Sequence, residues 1–343
     1  MTLNVSELES HGTDDLVEVE GLEQSSVAGR SPMQLAVARF RKDRLSMVSL
    51  FFSIIIVLCA IAAPILVAAG VLHPNAVHQE LLGNDGVTPK GGWSGVSGSH
   101  WLGVEPGLGR DLGARLMLAL TYSLAIALTA TALTVFIGTV LGIVAGFSRG
   151  IVDGVVGRFI DLTLSFPQTM MLLALSSPAV LFLRTTMADV PGFGVLEDRD
   201  RATGLYVIII LAAFGWPPVA RVVRGQVLSL REREYIDAAR LLGASRFRLY
   251  FKEVLPNVWA PVLVYVTLLV PAYISAEAAF AYLGVAIKPP TPTLGNILAD
   301  SVNYTSADPW FFFVPGIVLA LTVVVFNLVG DGARDALDPK TDR

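Results

Sequence analysis

Residues 46–69 read SMVSLFFSIIIVLCAIAAPILVAA, a run without a single charged side chain. As an α-helix this run is about 36 Å long at 1.5 Å per residue, more than the ~30 Å hydrocarbon core of a bilayer. No water inside a membrane satisfies backbone amides, so an apolar run of this length crosses as a helix, with its hydrogen bonds made internally. Further apolar stretches follow at 116–147, 159–183, 204–222, 258–283 and 310–330. They account for a chain of 343 residues that is 53% hydrophobic and only 16% charged, where a soluble domain carries about 25%. The fold class expected is therefore all-α, with six transmembrane helices. The stretch at 116–147 is longer than one crossing needs and must tilt or protrude.

The segments between the spans carry the charge. Residues 1–30 hold Glu7, Glu9, Asp14, Asp15, Glu18, Glu20 and Glu23 against one base, Arg30. Without apolar periodicity, this stretch reads as an acidic disordered tail, taken as 1–38, rather than a signal peptide, which would begin basic. With the N-terminus cytosolic, inside segments hold eighteen lysines and arginines and outside segments seven, which favours both termini inside. Two long loops then lie outside: glycine-rich 70–115, and 184–203 with its mixed-charge run Glu197 to Arg201. The lone cysteine, Cys59, follows Leu58 inside the first span and reads as a small apolar filler, not a lipoprotein site.

The largest inside loop, 223–257, is patterned. From Arg224 it runs RGQVLSLREREYIDAARLLGASRFRLYFKEVLPN. Ser229 with Glu232 forms a capping-box pair that predicts a helix from Leu230, and Gly243 stands where a left-handed residue would end it. Tyr235, Ala238, Ala239 and Leu242 share one face at helical spacing. Ser245 predicts the cap of a second short helix bearing Phe247, Tyr250, Phe251 and Val254, ended by Pro256. Two amphipathic helices bent at a glycine suit either an ordinary interfacial hairpin or a surface on which a partner docks.

Asp237-Ala238-Ala239, Gly243 and Leu255-Pro256 resemble the EAA loop of ATP-binding cassette (ABC) importer permeases, which docks on the ATPase subunit. Asp237 stands for the usual glutamate, and Glu253 for the usual isoleucine, with Val254 following. Three further stretches resemble the C-type subunits of dipeptide and oligopeptide importers. They are His100–Arg115 (HWLGVEPGLGRDLGAR, with Trp101 for proline and one extra residue near Pro106), Ile160–Pro167, and Ala276–Gly295 with its Pro289-Pro290-Thr291-Pro292 run and Leu294 where tryptophan is common. The resemblance covers roughly 39–338 and omits the acidic tail and 184–203. It implies a type I ABC importer permease fold, divided into 39–115 (basic stretch, first span and outer loop), a permease domain 116–338 with its coupling loop 223–257, and a tail 339–343. It also implies a B-type permease partner, two cytosolic ABC ATPases that bind ATP and magnesium, an extracytoplasmic peptide-binding lipoprotein, and residence in the cytoplasmic membrane of a prokaryote. The coupling residues so implied are Glu234, Tyr235, Asp237, Ala238, Ala239, Gly243, Leu255 and Pro256.

Glu277 is the deepest carboxylate, in the fifth span, and must pair, face water or stay protonated. It is a candidate for the translocation path, with Pro289, Pro290, Pro292 and Gly295, or for a structural pair. Asp161 reads as structural. Gly103, Gly109 and Gly295 read as tight turns. His73, His78 and His100 match no compact metal-ligand spacing, so no metal and no cofactor is expected on this chain. No Gly-Lys pair occurs anywhere, which excludes a P-loop. H-E-x-x-H is also missing, no catalytic residue is proposed, and nothing points to nucleic acid. The competing readings are a relative carrying glutathione or a nickel chelate, and a secondary transporter with Glu277 and Asp161 as proton sites. The latter class would be expected to show internal repeats, and none is evident.

Overall fold

The computed structural model describes residues 32–148 and 150–337. Its helices are α1 (Pro32–Lys42), α2 (Arg44–Ala68), α3 (Leu112–Phe147), α4 (Ile151–Ser165), α5 (Gln168–Phe182), α6 (Arg199–Leu230), α7 (Glu234–Leu241), α8 (Arg246–Arg248), α9 (Leu255–Tyr282), α10 (Leu294–Ser301) and α11 (Pro309–Leu337). Among the described residues there is no β-strand, only two isolated bridges, Leu82 with Pro89 and Val104 with Asp111. Six helical segments are long and apolar enough to span a membrane: 44–68, 112–147, 168–187, 199–230, 246–282 and 309–337.

Three expectations are corrected. Most of the acidic tail and all of 339–343 lie outside the described residues, but 32–38 belong to α1. Pro32 there occupies a helix start, where its fixed φ suits the first turn, and Ala36 is buried. The third span does not begin at 159. Pro167 disfavours the α conformation at the residue before it, and Phe166 is extended (φ −85°, ψ 132°). This breaks the stretch into α4 and α5, and the span starts at Gln168. The fourth span is not confined to 204–222, because α6 runs unbroken to Leu230.

The centre of the molecule is the crossing of α3 and α6. Gly138, Gly142 and Gly146 recur every four residues on α3, and opposite them stand Val219, Val223 and Val227 of α6. A Cβ placed on Gly142 would lie 2.7 Å from Val223 Cβ and 2.8 Å from the Ala220 carbonyl oxygen. Only glycine allows backbones this close, the packing that replaces hydrophobic driving force between helices in lipid. Val219, Val223 and Val227 are each fully buried. Nearer the other end, the Tyr273 hydroxyl of α9 lies 2.9 Å from Thr134 Oγ1 and donates to the Leu211 carbonyl at 3.2 Å, which ties α3, α6 and α9 together.

The 70–115 loop is an ordered cap. Arg110 makes a two-pronged ion pair with Glu105 at 2.6 and 2.7 Å, and Arg115, also buried, reaches the same carboxylate at 3.3 Å. Arg115 Nη1 donates to the Pro290 carbonyl at 3.3 Å, joining the cap to the chain after α9. Gly103 and Gly109 have φ of +85° and +66°, so both make tight turns as expected. A side chain on Gly109 would collide with the His78 carbonyl oxygen. Asp111 caps α3 by accepting from the Ala114 amide at 2.6 Å.

Candidate functional site

The 224–257 segment has the bent two-helix form, with different boundaries. Ser229 and Leu230 are the last residues of α6, and the first short helix, α7, begins at Glu234 behind Arg233, which makes no side-chain cap. The Ser229–Glu232 capping box is therefore not formed: α6 extends through the expected cap because Val223 and Val227 continue its buried stripe against α3. The α7 stop is as expected. Gly243 has φ +78°, its amide donates to the Arg240 carbonyl at 2.9 Å, and the Ala244 amide donates to the Ala239 carbonyl at 3.0 Å, the paired bonds of a Schellman motif. Ser245 accepts from the Arg248 amide at 3.3 Å and caps α8.

Pro256 does not end the second helix. Residues 246–282 form one continuous helical rod in which 249–254 take the wider π-helical turn. Pro256 is the second residue of α9, directly after the π-helical turn, so it sits inside the rod rather than at its end. Asn257 Nδ2 donates to the Glu253 carbonyl at 2.6 Å. The second short helix is thus the direct extension of the fifth span.

Two faces of this segment must be distinguished. Ile236, Leu249 and Val254 are buried against the chain's own core. Phe147, the last residue of α3, packs edge-on to Tyr250 at 5.1 Å, and the Arg240 guanidinium lies 4.8 Å from the Phe147 ring centroid, a cation–π contact. Arg231 Nη1 donates to the Gly146 carbonyl at 3.0 Å, satisfying an otherwise open helix end. The opposite face is bare: Leu241 and Leu242 are 90% and 88% exposed, Phe247 71%, and Tyr235 41%. Glu234, Asp237 and Ala238 are exposed and Ala239 half-buried; Leu255 is half-buried and Pro256 exposed. The resemblance did not include Ile236, Leu249 or Phe147. Ile236, one residue past Tyr235, is a lone apolar residue on its side of the helix, and the sequence carries no local sign that it faces inward.

The other candidates sit at the far end of α9. Glu277 is 1% exposed and accepts from Ser123 Oγ of α3 at 3.0 Å, while Ser123 Oγ accepts from the Leu294 amide of α10 at 3.0 Å. Through Ser123 its carboxylate links α9 to α3 and α10. Gly295 is not a turn: it lies in the first turn of α10, which Thr293 and Asn296 cap reciprocally. A Cβ there would stand 2.6 Å from the Ala278 Cα. Pro289 and Pro290 are exposed and Pro292 is buried. Asp161 is not in a span. It sits on α4, exposed, paired with Arg221 at 3.0 Å. Beside it the two-pronged Arg224–Asp153 pair, at 2.5 and 2.9 Å, holds the Asp153 carboxyl below its usual range. Burial raises Asp300 of α10, with Glu105 nearby adding to the rise. No group of three or more candidate metal ligands is found among the described residues.

Six helices long and apolar enough to span, with a bent helical segment between the fourth and fifth, make this a multi-pass membrane protein. Residues 138–343 match the family of binding-protein-dependent transport system inner membrane components, and the chain belongs to that family, a multi-pass protein of the cytoplasmic membrane and a permease subunit of an ABC importer. Residues 31–79 match the N-terminal transmembrane domain of oligopeptide transport permease C. Curated relatives include the oligopeptide transport system permease protein OppC of Bacillus subtilis, 35% identical over 306 residues, 89% of this chain and 88% of that one. The dipeptide transport system permease protein DppC of Alkalihalophilus pseudofirmus is 31% identical over 90% of each chain. OppC of Escherichia coli is 33% identical over 93% of this chain and 94% of its own. Among solved structures, an inward-facing MetNI methionine ABC transporter aligns with a TM-score of 0.48 and 17% identity over 64% of this chain and 94% of that one; family membership rests on the sequence matches.

Proposed function

We propose that this chain is the C-type permease subunit of an importer of dipeptides or oligopeptides, and that its 224–257 segment is where ATP hydrolysis on partner subunits is coupled to movement of the spans. In this assembly a B-type permease subunit completes the path, two cytosolic ABC ATPases bind ATP and magnesium, and an extracytoplasmic lipoprotein delivers the peptide. Both termini and 223–257 are cytosolic. The peptide cargo follows from the names of the curated relatives. The observation that carries the coupling role is the bare apolar face of Tyr235, Leu241, Leu242 and Phe247 on a segment whose other face is locked to α3. Such a face in water is unfavourable until a partner covers it.

Leu242→Glu tests this directly. At 88% exposure the substitution leaves the chain's own packing untouched, so membrane abundance stays at the wild-type level. A carboxylate in the docking face abolishes co-purification of the ATPase subunits and peptide uptake with it. Retention of both would refute the docking role. The chain reconstituted alone hydrolyses no ATP.

A further inference from the structure

Residues 184–203, which the family match at 138–343 includes, help to build a cavity. About 360 Å³ in volume, it is walled by Ser176, Ser177, Arg184, Arg199, Asp200 and Lys288, among others, where the ends of α5 and α9 meet the start of α6. Small-molecule sites span roughly 300–1,000 Å³. Three cations face one carboxylate across this space. Asp200 is held by Thr291, whose hydroxyl donates to it at 2.6 Å, and Arg184 Nε donates to the Glu197 carbonyl at 3.0 Å. The side chains of Arg199 and Lys288 make no hydrogen bond or ion pair among the described residues. Unengaged cations lining a concave wall, beside the hydroxyls of two serines, form a receptor for an anion that also carries hydrogen-bonding groups.

On the reading of the chain as a peptide importer, with this end of the spans outside, we propose that the cavity receives the terminal carboxylate of the cargo peptide as it enters the path. Arg199 and Lys288 hold the carboxylate and Ser177 offers its hydroxyl to the adjoining amide. Asp200 separates a zwitterionic peptide from an anionic lipid headgroup, since its charge repels a headgroup that carries no cation. Four of the seven polar wall residues, Arg184, Arg199, Asp200 and Thr203, come from 184–203.

The test is uptake of radiolabelled trialanine, as free acid and as C-terminal amide, by cells carrying the complete transporter. Arg199→Gln combined with Lys288→Gln lowers the maximal rate for the acid about tenfold, the scale of a lost charge-assisted pair. The half-saturating concentration, set on the delivering protein, does not move. The exchange Arg199→Lys with Lys288→Arg restores the rate, and the amide changes less than about twofold in every variant. Where the wild type takes up the acid alone, rescue by the exchange variant at equal complex abundance is the supporting result. An unchanged acid rate, or an equal fall for acid and amide, overturns the proposal. An equal fall accompanied by loss of co-purified phosphatidylglycerol assigns the cations to lipid instead. No wild-type uptake of either peptide above cells lacking the transporter rejects the peptide reading itself, and with it the cargo of this site.

Discussion

At the scale of single residues, Gly243 separates conformational demand from crowding. Its φ is +78° and a Cβ built on it meets nothing within 4 Å, so a substitution there strains only the backbone. The left-handed conformation costs an L-residue roughly 1–2 kcal/mol, less for asparagine and more for a β-branched side chain. Uptake per assembled complex is expected to stay near wild type for Gly243→Asn, to fall for Gly243→Ala, and to be lost for Gly243→Val as the 246–254 rod is re-aimed. Membrane abundance remains similar in all three. Near-normal uptake by the valine variant would show that the angle between α7 and the rod carries no coupling. Gly243 was legible because a glycine directly after an amphipathic run marks the left-handed stop of a helix. Ile236 was not, because one apolar residue beside an alanine-rich face looks the same whether it points to core or to solvent. Glu277 was legible as a constrained carboxylate, but its partner Ser123 stands 154 positions away in sequence, beyond any local pattern.

At the scale of elements, the spans were legible from hydropathy and their ends were not. A helix end in this chain is set by what it packs on: α6 overruns a well-formed capping signal because its valine stripe keeps meeting α3, and 246–282 runs through Pro256 because a π-turn precedes it. The decisive feature of α3, glycine every fourth residue, lay in plain view as Gly138, Gly142 and Gly146, and its meaning depended on the valines of α6 standing opposite. This gives a prediction in which propensity and packing disagree. Alanine is favoured over glycine in a helix by about 1 kcal/mol. Gly157 of α4 has open space around it, so Gly157→Ala leaves thermal stability in detergent unchanged or slightly raised. Gly142→Ala drives a methyl into Val223 and the Ala220 carbonyl, and overpacking of this kind costs about 1–3 kcal/mol. The midpoint of heat-induced loss of monodispersity therefore drops. Stabilisation by both substitutions would mean that α3 and α6 do not meet at these residues.

At the scale of the whole molecule, the geometry and the charge distribution constrain orientation independently. The coupling segment and the outer cap lie at opposite ends of the α3 rod: Phe147 at its last residue holds Tyr250, while Asp111 at its start accepts from the Ala114 amide and is paired with His100 in the cap at 2.5 Å. Whichever side of the membrane one occupies, the other takes the opposite side. The distribution of bases favours one assignment, which cysteine labelling tests. Eight of the bases fall in 221–252, between the fourth and fifth spans, and lysine and arginine are retained on the cytosolic face. Single cysteines in a Cys59→Ser background test the two ends together. Glu197→Cys sits on an exposed position of the 184–203 segment and Glu232→Cys at the entry to α7. An impermeant thiol reagent applied to intact cells is expected to label position 197 rapidly and position 232 only after the membrane is opened. Because α6 links the two positions in one continuous helix from Arg199 to Leu230, they must report opposite sides. Labelling of both in intact cells would mean that α6 does not span. The reverse pattern would turn the whole molecule over, and would place the bare Tyr235–Phe247 face beyond the reach of any cytosolic ATPase.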